Sequence, residues 1–304
     1  MSTIKNVVLV GATGNLGPAI LDGLLNAGFK VTVFTRSESS TQHTFPESVA
    51  VKPVDYSSVD SLASTLQGQD ALVSTLGPPG LQNQLNLIEA AAKAGVRRFI
   101  PSEFGSDTLH PRTSKLPVFA DKVVVRQALE KEAAKGTGYL TYTAIITGPF
   151  LDWGLKVGFL ADAKGKSVTL YDGGERLFST TTLATIGKAV AAVLRKPEET
   201  ANRALYVQDT ALTARQLKAI AEKVTGGQSW AAKEVSVEDD LLAPAWAELK
   251  KEKPDAGKFV VPFILTSIFG EDYGSHFQKL DNELLGLREL TPEEVERVVA
   301  AATK

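Results

Sequence analysis

Glycines at positions 11, 14 and 17 stand directly after a short apolar run and directly before an amphipathic one, and that placement constrains the fold more than any other feature. Asn6 to Val10 (NVVLV) reads as a buried strand. Ile20, Leu21, Leu24 and Leu25 then recur on one face of a helix that ends at Ala27-Gly28. A strand that turns straight into a helix needs residues without Cβ in the turn. The same turn presents the free N–H groups and positive dipole end of the helix to whatever lies above it. Gly11, Thr13, Gly14, Asn15, Leu16 and Gly17 therefore read as a dinucleotide-binding turn that cradles a pyrophosphate, although the spacing is GxxGxxG rather than GxGxxG.

The rest of the first half repeats that rhythm. Lys30 to Thr35, Val49 to Val54, Ala71 to Thr75, Arg98 to Pro101 and Tyr139 to Ile146 read as strands, and Ser58 to Leu66, Gln82 to Ala94 and Val118 to Lys135 as helices between them. Short apolar strands separated by long helical segments predict right-handed crossovers and a parallel sheet covered on both faces. The expected fold class is α/β, a doubly wound parallel sheet (Rossmann) over residues 1–150, with a smaller C-terminal α/β lobe over 151–304 and the 178–209 segment packing back on the sheet. In that second half Trp153 to Ala161, Leu183 to Leu194 and Thr213 to Val224 read as helices. Ser167 to Tyr171 and Ala204 to Val207 read as strands, and residues 228–304 as mostly helical with turns at Pro244, Pro254 and Pro262.

Composition narrows the partner. At roughly 100 to 200 residues per domain, 304 residues correspond to two domains or to one large domain with a lobe. Lys plus Arg number 33 against 35 Asp plus Glu, a net charge of −2 that gives no field for nucleic acid or an anionic membrane. With no cysteine, thiolate nucleophiles, thiolate metal sites and disulfides all drop out. His43, His110 and His276 lie far apart without metal-ligand spacing, so no metal is expected. The apolar run Val7 to Val10 is too short for a signal or membrane segment, which makes the expected compartment cytoplasmic and the expected partner a small molecule. The oligomeric state stays open between monomer and homodimer.

Which dinucleotide binds is decided at the end of the second strand, where an acid would hold ribose hydroxyls and an Arg would hold a 2′-phosphate. Here the strand ends in Arg36-Ser37, which favours the phosphate, with Glu38 beside it as an opposing charge. Asp55 and Tyr56 end the third strand where an adenine would lie, and Asp55 can equally cap the following helix. Glu103 and Phe104 follow a strand at the edge where such sheets bind ligands, and Glu103 fits either a structural turn or chemistry. Gly148, Pro149 and Phe150 end the sixth strand in the same layer, as a pocket wall or a junction turn. Phe104, Phe150 and Trp153 are candidates to contact a small-molecule substrate; Trp153 and Phe159 at helical spacing are also what a core helix looks like. Phe259 to Phe269 reads as either a pocket wall or an interface.

Gly11 to Gly17 (GATGNLG), Arg36, Thr75-Leu76-Gly77, Pro101-Ser102-Glu103-Phe104-Gly105 and Phe119-Ala120-Asp121-Lys122 together resemble the isoflavone-reductase-like and NmrA-like family of atypical short-chain dehydrogenases. The resemblance is strong over the first 150 residues and weaker beyond. It implies an oxidoreductase that binds NADP(H) along the glycine turn and Arg36, with Thr75, Leu76, Gly77, Ser102, Glu103, Phe104 and Lys122 around the cofactor and Lys122 as the catalytic lysine. Val118, Lys122, Val125 and Leu129 fall at helical spacing, so Lys122 interrupts an apolar row and either snorkels out or lines a cavity. None of the six tyrosines is followed four positions later by lysine, so the Tyr-x-x-x-Lys arrangement is absent. Two departures stand out: the loop after Arg36 has no lysine, and the C-terminal lobe departs from the plant pattern. A competing reading is an NADP(H)-binding sensor of the NmrA-like type without catalysis.

Overall fold

A computed structural model describes residues 3–37, 44–135 and 140–303. The readings that fall on Glu38, His43 and Tyr139 lie outside them. The first half runs β1 (Asn6–Val10), α1 (Gly17–Asn26), β2 (Lys30–Arg36), β3 (Ala50–Val54), α2 (Val59–Thr65), β4 (Ala71–Ser74), α3 (Asn83–Ala94), β5 (Arg98–Ile100), α4 (Ala120–Ala133) and β6 (Thr141–Ile146). The second half runs α5 (Leu151–Lys156), β7 (Ser167–Tyr171), β8 (Phe178–Thr180), α6 (Leu183–Arg195), β9 (Arg203–Tyr206), β10 (Thr210–Leu212), α7 (Ala214–Val224), β11 (Ala231–Val235), α8 (Ala243–Leu249), α9 (Val260–Phe269) and α10 (Pro292–Ala302).

Seven strands form one sheet in the order β3-β2-β1-β4-β5-β6-β9, and every pairing in it is parallel. This is the Rossmann-type α/β arrangement. The order reverses direction between β1 and β4, which opens a crevice at the strand ends there. Parallel strands covered on both faces must be apolar throughout, and β1 and β4 are buried along nearly their whole length. One face carries α1 and α6, which pack Ile20, Leu24, Ile186, Val190 and Val193 against the sheet. The other carries α2, α3 and α4, with Leu62, Leu87, Ala91, Val125 and Leu129. A third cluster joins α7, α9 and α10 to the β7 and β8 ribbons through Leu170, Phe178, Leu217, Phe269 and Val299.

Helices α1 and α6 approach so closely that only glycine fits at the crossing. A Cβ on Gly23 would lie 2.4 Å from the Gly187 carbonyl oxygen, and one on Gly187 would lie 2.2 Å from the Ala19 carbonyl oxygen. The start of α6 is fixed by Asp209, which accepts from the Thr182 amide (2.7 Å), the Thr182 hydroxyl (2.6 Å) and the Thr185 hydroxyl (2.8 Å). Arg98, 1% exposed, donates to the hydroxyls of Thr141 (2.9 Å), Thr143 (2.7 Å) and Thr200 (2.8 Å) and to the Pro197 carbonyl. Burial brings its guanidinium down to about 10.

Three features of the second half differ from the sequence-based expectation. Pro244 and Pro262 sit in the first turns of α8 and α9 rather than in turns between elements, positions where a missing N–H breaks no helical hydrogen bond. Residues 231–235 form a strand beside β7 within the stretch read as helical. The expected helix from Trp153 closes at Lys156, after which Gly158 takes a left-handed φ of 75°.

Candidate functional site

The glycine turn is built as its residues require. Gly11 has φ 85°, and its carbonyl accepts from the Gly14 amide at 3.0 Å to close the turn. A Cβ on Gly17 would lie 2.3 Å from the Gly11 carbonyl oxygen, so the first residue of α1 can rest on the turn only without a side chain. The Thr75 hydroxyl donates to the carbonyls of Val10 (3.0 Å) and Gly11 (2.9 Å), tying the end of β4 to the turn. No side chain caps α1 and no acid stands in its first turn. The helix therefore meets the crevice with its amide pole uncovered, the condition under which a helix start holds an anion.

A cleft of about 440 Å³ opens over this turn and collects Gly11, Thr13, Gly14, Arg36, Tyr56, Thr75, Leu76 and Gly77. Ala12, Val33, Phe34, Thr35, Pro78, Pro79, Gly80 and Asn83 complete its wall without having been singled out as site residues in the sequence. All but Asn83 are apolar or small, and only the fold reveals that they face the crevice. Arg36 is exposed and, among the described residues, has no ion-pair partner. Burial pushes the Tyr56 phenol up to about 12, with the Arg36 guanidinium pulling the other way. Asp55 is exposed and lies off this wall; its carboxylate accepts from the Ser57 amide (2.8 Å) and hydroxyl (2.7 Å), while Ser58 caps α2. Asn15, Leu16, Gly17 and Ser37 also stand off the wall. Leu16 and Gly17 are buried under the turn, and the Ser37 amide continues the pairing with β3.

The remaining candidates gather around the loop after β5. The Ser102 amide donates to Gln84 of α3 (2.9 Å), and the Glu103 amide to the Pro101 carbonyl (2.8 Å). Phe104 takes φ 25°, a left-handed value that costs a non-glycine residue about 1–3 kcal/mol, and its ring packs into the core with Ile100 and Ile145. The Gly105 carbonyl accepts from the amides of Thr147 (3.3 Å) and Gly148 (3.0 Å), which joins this loop to the end of β6. Gly148 has φ 64°, and a Cβ there would lie 2.0 Å from the Ser179 carbonyl oxygen. The Pro149 carbonyl accepts from Thr180, and Phe150 meets Trp153 edge to face at 6.2 Å. Both rings are half-buried.

Lys122 lies in the first turn of α4, half-buried, and donates from Nζ to the main-chain carbonyl of Glu103. Desolvation pulls its ammonium below the ordinary lysine range, while the Glu103 carboxylate pushes it back up. Glu103 is 2% exposed, and its carboxylate accepts from the Thr108 hydroxyl at 2.9 Å. Burial drives this carboxyl above its usual range, opposed by Lys122, Thr108 and Arg126. Asp107, held by Tyr206 (3.2 Å) and the Leu109 amide (3.0 Å), is likewise raised by burial. None of Asp107, Thr108, Arg126 and Tyr206 was singled out in the sequence; the spacing of Lys122 and Arg126 on one face of α4 was the signal available. His110 and His276 line a separate cleft of about 350 Å³ with Asp107 and Tyr206.

Fold and cleft together define a Rossmann-type α/β protein with a glycine-lined crevice at its strand ends and a half-buried lysine on α4. The model of the NmrA-like family matches residues 3–242, and the chain belongs to that family. It is 34% identical over 296 residues to oxidoreductase poxI of Penicillium oxalicum, covering 93% of this chain and 90% of the relative. With phenylcoumaran benzylic ether reductase PT1 of Pinus taeda it shares 30% identity over 239 residues, 73% of this chain and 76% of that one. Its fold matches the structure of a binary complex of leucoanthocyanidin reductase and NADPH from Vitis vinifera at a TM-score of 0.74, with 20% identity over 98% of this chain and 99% of that one. The chain is an oxidoreductase of the isoflavone-reductase-like type.

Proposed function

We propose that the protein is an NADPH-dependent reductase of small aromatic substrates, with Lys122 handling the proton. The observation that carries this reading is Lys122 itself: an ammonium group drawn below its ordinary range by burial, hydrogen-bonded to one carbonyl and set beside the loop that joins β5 to the end of β6. The cleft supports a dinucleotide, because Gly11 and Gly17 let the turn pack against Thr75 and against its own backbone where a Cβ would clash, and the start of α1 is left without a cap. NADPH would be held along Gly11, Thr13 and Gly14, over Thr75 to Gly77, and by Arg36 at its 2′-phosphate. When bound it supplies the hydride. The names of relatives and of similar structures support both the cofactor and an aromatic substrate.

In this reading Lys122 works as a general acid/base, directly or through one water, because its lowered basicity lets it give up a proton more readily than an ordinary lysine. Phe150 and Trp153, paired edge to face and half-buried, offer an aromatic wall after β6. Residues 1–150 with the returning 178–209 segment would carry the cofactor, and the C-terminal lobe would choose the substrate. The competing reading is a sensor that binds NADP(H) and signals without chemistry. A sensor has no use for a desolvated lysine, which favours the enzyme. The test follows NADPH consumption by the purified protein against benzylic ethers, enones and quinones. Turnover of one of these classes is expected; tight NADPH binding with no turnover on any of them transfers the assignment to the sensor.

A further inference from the structure

Helix α4 grips a single loop at two successive turns. Lys122 donates to the carbonyl of Glu103, and Arg126, four residues on, donates to the carbonyl (2.9 Å) and hydroxyl (3.3 Å) of Thr108. Between these two anchor points the loop folds back on itself, and the Thr108 hydroxyl donates to the Glu103 carboxylate. The left-handed Phe104 turns the chain there, and Gly105 brings the loop backbone close to the lysine, a Cβ at that position standing in ordinary contact with Nζ at 3.7 Å. Glu103 thus meets Lys122 directly through its main-chain oxygen, while the carboxylate of the same residue, buried and held by Thr108, lies no more than a side chain's length away.

We propose that Glu103 is the positioning residue for Lys122, its carbonyl fixing where the ammonium group sits and its buried carboxylate keeping that group charged. The inference rests on the reading of Lys122 as the acid–base group and adds what sets its state. An amine in so dry a place loses its proton readily unless an opposite charge stands near. The other charged or titratable groups around the pair are Arg126 on α4, which favours an ionised Glu103, and Asp107 on the loop, which disfavours it. Asp107 is itself hydrogen-bonded by Tyr206 of β9 and lies near His110, while Asp121 on α4 is engaged by Gln82. Glu103 is the group whose charge opposes desolvation at Lys122. Without it, Lys122 would be neutral at a lower pH and would lose its proton-donating form there.

The test titrates Lys122 in the full chain without cofactor or substrate. Trace acetylation by acetic anhydride is measured across a pH series by peptide mass spectrometry in wild type, Glu103→Gln and Glu103→Asp, with the exposed Lys30 as internal reference. In Glu103→Gln the midpoint for Lys122 is expected to fall by about one pH unit, the effect of losing a nearby, buried opposite charge. Lys30 is expected to stay where it is. Glu103→Asp keeps the charge at a longer separation and is expected to fall between the two. Should Glu103→Gln fail to fold, as judged by circular dichroism, the Asp variant alone decides by the same criterion. A lower melting temperature with an unchanged Lys122 midpoint would overturn the proposal and leave Glu103 as a structural anchor. Because the readout needs no turnover, a chain inactive on every substrate can still show the shift, and an active reductase can fail to show it.

Discussion

In the proposed reading, Arg36 is the residue on which the choice of dinucleotide turns. It ends β2 at the rim of the cleft, exposed, with no ion-pair partner among the described residues, so its five donors are open to a phosphate. Charge-assisted hydrogen bonds of this kind contribute about 1.5–3 kcal/mol. Arg36→Ala is therefore expected to weaken NADPH binding by about tenfold to a hundredfold while leaving NADH affinity nearly unchanged, as read by titrating each cofactor against protein fluorescence. Equal losses for both cofactors would show that Arg36 holds the cleft together rather than the phosphate. Arg36 and Lys122 were legible as candidates in the sequence because each breaks a local rule: one charge ends an apolar strand and the other interrupts an apolar helix row. Glu103 was legible only as a position. That its carboxyl is buried and faces Thr108 follows from the path of the loop, which no spacing encodes.

Among the elements, the contact between α1 and α6 is the tightest crossing described. Gly23 and Gly187 let the two backbones touch, and the gain is a flat apolar layer over β1 and β4. Gly23→Ala places a Cβ 2.4 Å from a backbone oxygen that cannot yield without moving the helix. A loss of about 1–3 kcal/mol is expected, measured as a lower urea midpoint at unchanged slope. An unchanged midpoint would mean that the helices separate freely. The first-half elements were readable in advance because each long helix lies between short apolar strands, and Gly95 ends α3 in the left-handed conformation such a stop needs. Thr213, read as the first residue of its helix, is the N-cap one residue before it. The short strands β8, β10 and β11 were not readable. Ala231 to Val235 (AAKEV) is mostly exposed, without the alternation of a half-buried strand, and pairs with β7 only because the chain returns beside it. Proline misled at positions 244 and 262, because the same residue that breaks a helix interior also opens a helix.

At the level of the whole molecule, the sheet brings separate stretches of chain to one working edge. The turn after β1, the ends of β2 and β4, and the loop after β5 all lie at the carboxyl ends of parallel strands, where an open α/β sheet gathers its ligands. The loop after β5 is hydrogen-bonded to the end of β6, and β9 returns from the second half to close the sheet beside β6. Arg98 ties that arrangement together from inside, reaching from β5 across β6 to the turn before β9. That much was foreshadowed by the alternation of elements; which side chains of the C-terminal half would face the working edge was not, since those contacts join residues far apart in sequence. The central claim is that this architecture presents Lys122 as a proton-handling group beside a separately built cofactor cleft. It is tested most directly by comparing wild type with Lys122→Met, which keeps the apolar stem and removes the charge, for NADPH affinity and for turnover of whichever substrate class the wild type reduces. The account predicts turnover reduced by a hundredfold or more, on the order expected for losing a positioned acid, with NADPH affinity within about twofold of wild type. Turnover that survives in Lys122→Met, or loss of NADPH binding together with turnover, would contradict it.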